Sequence, residues 1–419
     1  MNETTVIKDM LSSVSLFFKD LETPIELGRG EIRTLLHIFS GVIDFRMKGK
    51  IKYKLENLLA ICFILALKNK FHSFNYVTTY LKVKEDWFVE VGLINKGEFP
   101  SHDTFRRVFG HLDANSLRDV FLERIKQFLE YIDSIRGDKS KEIKLLSGDG
   151  KTFNGSGREG NRNLNVFNIY NASESICVSS IPLSDKQSEI SEFQRMLPKY
   201  DLRKTMVTAD ALHTQRKTCE IIIKKKGLYT FKVKNNQRAL LDETVKAIND
   251  PTKEKITFSH NECEYEMVVR KKSDVYGIDW PGLRSYIKMV SHKRDAHKKA
   301  KSETHYFISS SNNPTLIAEA IDNRWKIEDD LHKFKDVYLK EDACTFQDKN
   351  AVKVMATINN IVFSLYKIAS AARNDKSMME TIIRFEDEPL DLISFLLPLF
   401  KKANLSRIVR ENMRGVKKA

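Results

Sequence analysis

From about residue 31 to residue 136, apolar side chains recur at helical spacing, with Leu35, Leu36, Phe39, Val42 and Ile43 marking the first stripe. The run LENLLAICFILAL at 55–67 is apolar on every side, which predicts a central helix buried all round. In 99–132, Pro100 and Ser101 mark a helix start with Ser101 or Asp103 as its cap. Phe105, Val108, Phe109 and Leu112 form its buried stripe. Gly110 and the DANS segment at 113–116 punctuate before a second long helix. Two helices joined this way could be a helix-turn-helix, although such pairs are common in any bundle. Residues 1–30 read as a loosely attached helical lead-in.

The polar stretch RGDKSKE at 136–142 is a linker, and beyond it the period changes to that of strands. Strands are predicted at 143–148, 164–171, 175–183, 205–209, 228–234 and 305–311, with helices at 187–197, 214–226 and 238–249. Strands that first follow one another and then alternate with helices describe a mixed α/β sheet flanked by helices. That order matches the RNase H-like fold. Residues 236–300 hold a helix and short strands near 255–270 and 284–291, end near the charged run HKRDAHKKAK (292–301), and read as a β-rich insertion. A helix from about 314 leads into NRWKIEDDLHKFKD, and further helices are expected over 349–372 and 376–411. The expected organisation is a helical N-terminal DNA-binding or accessory domain over 1–140 and a catalytic domain over 141–372 that carries the insertion. A basic helical segment over 373–419, with Arg407, Arg410, Arg414, Lys417 and Lys418, comes after it.

Charge narrows the class of partner. Lys and Arg outnumber Asp and Glu 70 to 56, for a net charge of +14 and an isoelectric point near 9.3. That excess favours a polyanion, most simply nucleic acid. RMKGKIKYK (46–54) places five cations at alternate positions, either as a solvated turn or as a phosphate-contacting loop. The five cysteines (62, 177, 219, 263 and 344) are scattered without a CxxC pair, which points to a reducing compartment and away from a zinc site or a disulfide framework. The first residues, MNETTVIKDML, lack a basic-then-apolar signal pattern. The longest apolar run, Leu58 to Leu67, is ten residues, too short to span a bilayer. A cytoplasmic protein, nucleoid-associated and without a membrane partner, is expected.

The candidate chemistry centres on LLSGDGKTFNGS (145–156). Gly148 and Gly150 bracket Asp149 at the end of a buried strand, so that a backbone or ligand can come close to its carboxylate, and Lys151 is next in the chain. Asp210 ends another predicted strand in VTADALHTQ, and Glu328 lies on a helix. Cleaving a phosphodiester without a covalent intermediate requires a nucleophilic oxygen and a neutralised leaving oxygen. Two divalent ions held by a few carboxylates supply both. Arg324 is four residues before Glu328 and Lys335 seven beyond it, so on an α-helix the three share a face, either as a surface ion-pair stripe or as a phosphate-holding one. Two other readings fail. GKT at 150–152 lacks the Gly that a P-loop requires at the position of Leu145, and the pair Glu328 and His332 has no HExxH or cysteine partner for zinc.

At these residues the chain resembles the transposases of bacterial insertion sequences, in the H-repeat-associated branch of the DDE superfamily. The resemblance rests on PSHDTFRRVFGHLD, SGDGKTFNGS, VTADALHTQ, VKNNQ (233–237) and RWKIEDDLHKFKDVYLKEDA (324–343), and it covers about residues 40 to 372. The chain departs from the family pattern at Ile321, where related elements carry Tyr, and at Lys333, where many members carry Trp. The resemblance implies Asp149, Asp210 and Glu328 as a catalytic, metal-binding triad with Mg²⁺, for which Mn²⁺ can substitute. It also implies double-stranded DNA as partner, both terminal inverted repeats and target, with a homodimer acting on it. Lys151, Arg324, Lys335, Arg106 and Arg107 are the candidate DNA-binding residues. The implied activity is cleavage of the element's ends and joining of their 3′-hydroxyls to target DNA. The alternatives are a domesticated DNA-binding regulator and a nuclease without strand transfer.

Overall fold

The computed structural model describes residues 29–122, 143–153, 164–173, 176–183, 188–248, 255–260, 263–274, 277–294, 300–373 and 375–400. The expectations for residues 1–28, for the linker at 136–142 and for the basic positions from Arg407 onward lie outside the described residues.

Helix α1 (Arg29–Phe39) packs on α2 (Leu55–Leu67), the apolar run, of which eleven residues are buried. Lys54 before α2 makes no side-chain capping bond. A Leu- or Phe-sized side chain contributes roughly 2 kcal/mol when buried, so burial and not capping fixes this helix. Helices α3 (Phe74–Val83) and α4 (Glu85–Glu90) come next, then α5 (His102–His111). Of the two candidate caps for α5, Ser101 acts: its Oγ accepts the Thr104 N–H at 3.2 Å. Residues 114–122 are again helical.

Nine strands then form one sheet: β1 (Lys144–Phe153), β2 (Leu164–Asn171), β3 (Ile176–Leu183), β4 (Thr205–Ala209), β5 (Leu228–Val233), β6 (Lys255–His260), β7 (Cys263–Lys271), β8 (Ser285–Arg294) and β9 (Ala300–Ser309). Their order is β3-β2-β1-β4-β5-β9-β8-β7-β6. The pairs β1–β4 and β4–β5 are parallel and the others antiparallel. This is the expected mixed sheet, with two differences. The strand expected to end near Asp149 runs on to Phe153, because β2 pairs with it as far as Phe153–Leu164. The strands of the 236–300 stretch are part of the same sheet, because β9 pairs with β5 on one side and β8 on the other.

The alternation of side chains along β1 sorts the two faces. Leu146, with Phe167, Val207 and Phe231, faces α6 (Ser188–Met196), α7 (Arg216–Lys224) and α8 (Arg238–Ile248) in one core. Leu145, with Val166, Tyr170 and Met206, faces α9 (Pro314–Lys326) and α10 (Lys349–Arg373). This second core is continuous with α2, because α10 runs between the sheet and the N-terminal helices. Polar ties lock α10 there. Asn350 donates to the carbonyls of Phe109 and Leu112 at 2.9 Å each, and Tyr366 donates to that of Leu67 at 3.1 Å, meeting carbonyls that helix ends leave unpaired. Helices α11 (Met378–Phe385) and α12 (Pro389–Phe400) complete the layer. Among the described residues no helix is long and apolar enough to cross a membrane.

Candidate active site

Parallel pairing of β1 with β4 ends at Gly148–Ala209. Asp149, within β1, and Asp210, directly after β4, are the next residues along, so they stand at the same level and on the same face. Adjacent strands lie about 4.8 Å apart. Directly beneath them on that face, Ser147 and Thr208 share a hydrogen bond of 2.9 Å, and both are buried. Ser147 also reaches the Asn323 carbonyl of α9 at 3.5 Å. Small hydroxyl side chains at this level let α9 lie close across the ends of β1 and β4.

α9 and the turn after it bring Arg324 near both carboxylates and Glu328 near Asp149, close enough for their charges to be felt there. Arg324 approaches Glu328 at 3.5 Å, with the Arg side chain 14% exposed and the Glu 53%. Past Lys326 the chain keeps winding, in π-helical turns over Ile327–His332 and Phe334–Tyr338. Hydrogen bonds from i to i+5 wind wider than those of an α-helix, so a residue seven positions on no longer returns to the same face. Lys335 accordingly turns inward, fully buried, 3.3 Å from the equally buried Glu341. Lys151 is also buried and pairs with Asp336 of the second π-helical turn. The structure therefore brings Asp149, Asp210 and Arg324 together, with Glu328 close enough to Asp149 for its charge to be felt, and does not bring Lys151 or Lys335 to the surface. Arg106 and Arg107 lie exposed on α5, along a cleft of about 590 Å³ that Phe74, Phe346 and Asp348 also line. Arg106 pairs with Asp103 at 2.9 Å.

The glycines beside Asp149 serve packing on the opposite face. A Cβ on Gly148 would stand 2.6 Å from the Phe167 ring, and one on Gly150 would stand 2.8 Å from a Glu189 carboxylate oxygen. They make room for that ring and for α6, and the expectation that they open the strand to a ligand is corrected. Glu189 in turn meets the buried His213 at 2.8 Å.

Electrostatics separates the two aspartates. Burial raises the Asp149 carboxyl to about 7, and the negative charges of Glu328 and Glu189 add to it against Arg324 and the Gly150 N–H. Burial also pushes Asp210 upward, but the Ala211 N–H and the charges of Lys234, Arg324 and Lys232 outweigh it and hold the group below the ordinary range. Lys234 stands 3.7 Å from Asp210. Lys232 and Lys234 lie on β5 and at its end, beside Asp210. Burial lowers the pKa of Lys232, and the charges of Lys234 and Arg324 lower it further. The result is a carboxylate pair with a cationic flank.

A divalent metal suits this donor chemistry. The three carboxylates offer only hard oxygen ligands, and Asp149, raised by burial and then by the Glu328 charge, is a group that a bound cation would hold ionised. Among the described residues, no three His, Cys, Asp or Glu side chains stand close enough as they are to hold an ion, so the set is open.

Comparison with known proteins decides the family. The description "Transposase DDE domain" matches residues 133–365, and "DDE_Tnp_1-associated" matches residues 36–124. The chain belongs to the DDE transposase family. It is similar to the "Putative transposase YncI" of Escherichia coli O157:H7, with 24% identity over 356 residues that cover 80% of this chain and 88% of that protein. It is also similar to the "H repeat-associated putative transposase YhhI" of Escherichia coli strain K12, with 24% identity over 353 residues, 80% of this chain and 90% of the relative. Among solved structures, the piggyBac transposase synaptic complex with hairpin DNA overlays at a TM-score of 0.42 and 11% identity, over 93% of this chain and 86% of that one. That likeness is too slight to argue from.

For a DDE transposase domain, the neighbourhood of Asp149 holds one more polar group than the sequence motifs single out. His332 lies 3.6 Å from Asp149 Oδ2 and 3.1 Å from Asn168. Burial, with the charges of Lys335 and Lys151, pushes its pKa down to about 3, so the ring is neutral. Its sequence signal is the LH of IEDDLH, which by spacing alone suggests only a zinc pair with Glu328. Four residues after Glu328 in the π-helical turn, it too faces Asp149. Lys232 and Lys234 do leave a trace, as alternate positions of a strand running into VKNNQ. No sequence signal marks Glu189.

Proposed function

We propose that this protein binds the terminal inverted repeats of a bacterial insertion sequence, cleaves the DNA ends and joins the freed 3′-hydroxyls to target DNA. In this reading residues 1–140 are the DNA-binding accessory domain, 141–372 the catalytic domain with its 236–300 insertion, and 373–419 a basic helical segment. Two ends call for two copies, so the protein acts on DNA as a homodimer. The observation that carries the reading is the common level of Asp149 and Asp210 on adjacent parallel strands, beneath the helix that bears Arg324 and Glu328.

Two reactions are required. Hydrolysis adds water across a terminal phosphodiester, leaving a 3′-hydroxyl and a 5′-phosphate. Transfer then forms a bond from that 3′-oxygen to a target phosphorus and releases a target 3′-hydroxyl, so the number of phosphodiesters is unchanged. Asp149, Asp210 and Glu328 would hold Mg²⁺ or Mn²⁺, which would supply activation of the attacking oxygen and charge for the leaving one. Asp210, kept ionised by Lys234, Arg324 and Lys232, is ready to bind a cation at neutral pH. Asp149, near 7 before loading, has to give up its proton first. Arg324, Lys232 and Lys234 neutralise the phosphates on the cationic flank, and Arg106 and Arg107 contact DNA from α5.

The test is a cleavage and joining assay with a plasmid that carries the DNA flanking the coding sequence on both sides. Free 3′-ends at the borders of the element, and then their insertion into a second plasmid, are the expected products. Cleavage without insertion would reduce the reading to a nuclease. Binding without cleavage in either Mg²⁺ or Mn²⁺ would reduce it to a DNA-binding regulator.

A further inference from the structure

We infer that His332 is a positioning residue for Asp149, held as its Nδ1–H tautomer by a one-way chain of buried hydrogen bonds that begins at Asn360 of α10. The inference rests on the proposed role of Asp149 as a catalytic carboxylate.

The direction of the chain is set at Asn360, whose amide nitrogen and not its oxygen faces Ser180. The Asn360 amide donates to Ser180 Oγ at 2.5 Å. The Ser180 hydroxyl, with a single proton, donates it to Asn168 Oδ1. With its oxygen turned to Ser180, Asn168 presents its NH₂ to His332 Nε2 at 3.1 Å. An amide nitrogen only donates, so Nε2 must accept, and a neutral imidazole that accepts at Nε2 carries its proton at Nδ1. That Nδ1 is the atom that lies 3.6 Å from Asp149 Oδ2. The distance is longer than a hydrogen bond, as contacts in resting sites often are before the reacting complex forms.

The reverse arrangement is worse on physical grounds. With Asn168 turned over, Nε2 would donate to it and, whenever Asp149 is ionised, the Nδ1 lone pair would face the lone pairs of the carboxylate. Asn168 is fully buried, and Ser180 and Asn360 nearly so, so water cannot readily repair that repulsion. Two features hold the parts in place. Asn168 and Ser180 are register partners on β2 and β3. The π-helical turn that carries His332 is anchored by Asp330, which pairs with Lys367 of α10 at 2.8 Å. A carboxylate oriented through one oxygen in this way is the usual support for a metal ligand.

The deciding measurement is the protonation pattern of His332 in the full-length, metal-free protein. It is read from two-bond ¹H–¹⁵N correlations after ring-¹⁵N histidine labelling, with His332 assigned by the signals that vanish in His332→Asn and His332→Phe. The expected pattern is a proton on Nδ1, and Asn168→Asp, which replaces the donor to Nε2 by an acceptor, should move it to Nε2. In the plasmid cleavage assay, His332→Asn, whose amide N–H takes the place of Nδ1–H, should stay within about tenfold of the parent protein. His332→Phe should lose about 10- to 100-fold more than His332→Asn.

A proton on Nε2 of His332 in the parent protein overturns the inference, whichever of the two His332 variants supplies the assignment. So does a tautomer that Asn168→Asp leaves unchanged, or a Phe variant as active as the Asn variant. The two levels separate cleanly. An Nδ1–H ring in a protein whose Asp149→Asn variant still cleaves would overturn the catalytic reading and leave the hydrogen-bond chain standing. An Nε2–H ring in a protein that Asp149→Asn inactivates would overturn the chain alone.

Discussion

Asp149 and Asp210 occupy the same level on neighbouring parallel strands, yet their acidities are driven in opposite directions, Asp149 up to about 7 and Asp210 below the ordinary range. Burial drives Asp149 up, whereas at Asp210 the Ala211 N–H and the neighbouring cations outweigh burial. Lys232 and Lys234 flank Asp210 from β5, whereas Asp149 sits deeper and feels the negative charges of Glu328 and Glu189.

This asymmetry predicts a pH-dependent gain from removing the Asp149 charge. In the fold Asp149 titrates near 7, against 3.8 for an ordinary Asp. Between those values the folded state holds a proton that the unfolded chain has lost, so stability falls as pH rises through the window. Asp149→Asn removes that loss and should raise the melting temperature at pH 8, with a gain on the order of 2–4 kcal/mol, and change it little at pH 4. Equal effects at the two pH values would contradict the burial of this carboxylate.

Metal binding should carry the opposite signature. Asp149 must be ionised to act as a ligand, so binding releases its proton and strengthens as pH rises. Millimolar Mn²⁺ should raise the melting temperature of the metal-free protein more at pH 8 than at pH 6, and should do little for Asp149→Asn. Thermal melts with and without the ion check this. An equal rise in parent and variant would place the ion elsewhere.

Lys335 and Glu341 form a pair with both side chains fully buried, and Asn359 donates to Glu341 at 2.9 Å. Removing one partner leaves the other charge buried and alone, at a cost of about 3–5 kcal/mol. Lys335→Ala should therefore lower stability by that amount in chemical denaturation. A stable Lys335→Ala protein whose only defect is weaker DNA binding would return Lys335 to the DNA-contacting set.

DNA binding should weaken steeply with salt, because Lys and Arg contacts release counterions from the duplex. Combining Lys232→Ala with Lys234→Ala should lower the slope of log affinity against log salt by about 1 for each phosphate that is no longer neutralised. Arg106→Ala with Arg107→Ala should reduce the preference for end DNA over random duplex. Unchanged slopes in the first double variant would remove β5 from the DNA surface.

Much of the fold is legible in the chain. Periodicity locates α2, α5 and most strands of the sheet, because those segments bury one face or all faces and the sequence has to record it. The two aspartates are legible because each directly follows a short run rich in apolar residues, although β1 continues past Asp149 to Phe153. The winding beyond Lys326 is not legible. A π-helical turn leaves no mark in hydrophobic spacing, so Lys335 reads as a surface neighbour of Glu328 when it is buried, and His332 reads as a partner of Glu328 when it faces Asp149. The glycines around Asp149 mislead for a related reason: sequence shows that a Cβ is missing, but not that Phe167 and Glu189 occupy the space.

The central claim is that Asp149, Asp210 and Glu328 work together as carboxylates. Cleavage of the plasmid carrying the flanking DNA, in Mg²⁺ and Mn²⁺, should be compared for the parent protein and for Asp149→Asn, Asp210→Asn and Glu328→Gln, with DNA binding measured alongside. Each substitution keeps the shape of the side chain and removes its charge. Each should lower cleavage by roughly 1,000-fold or more while DNA affinity stays within a few-fold. Near-normal cleavage by any one variant that still binds DNA would contradict the triad.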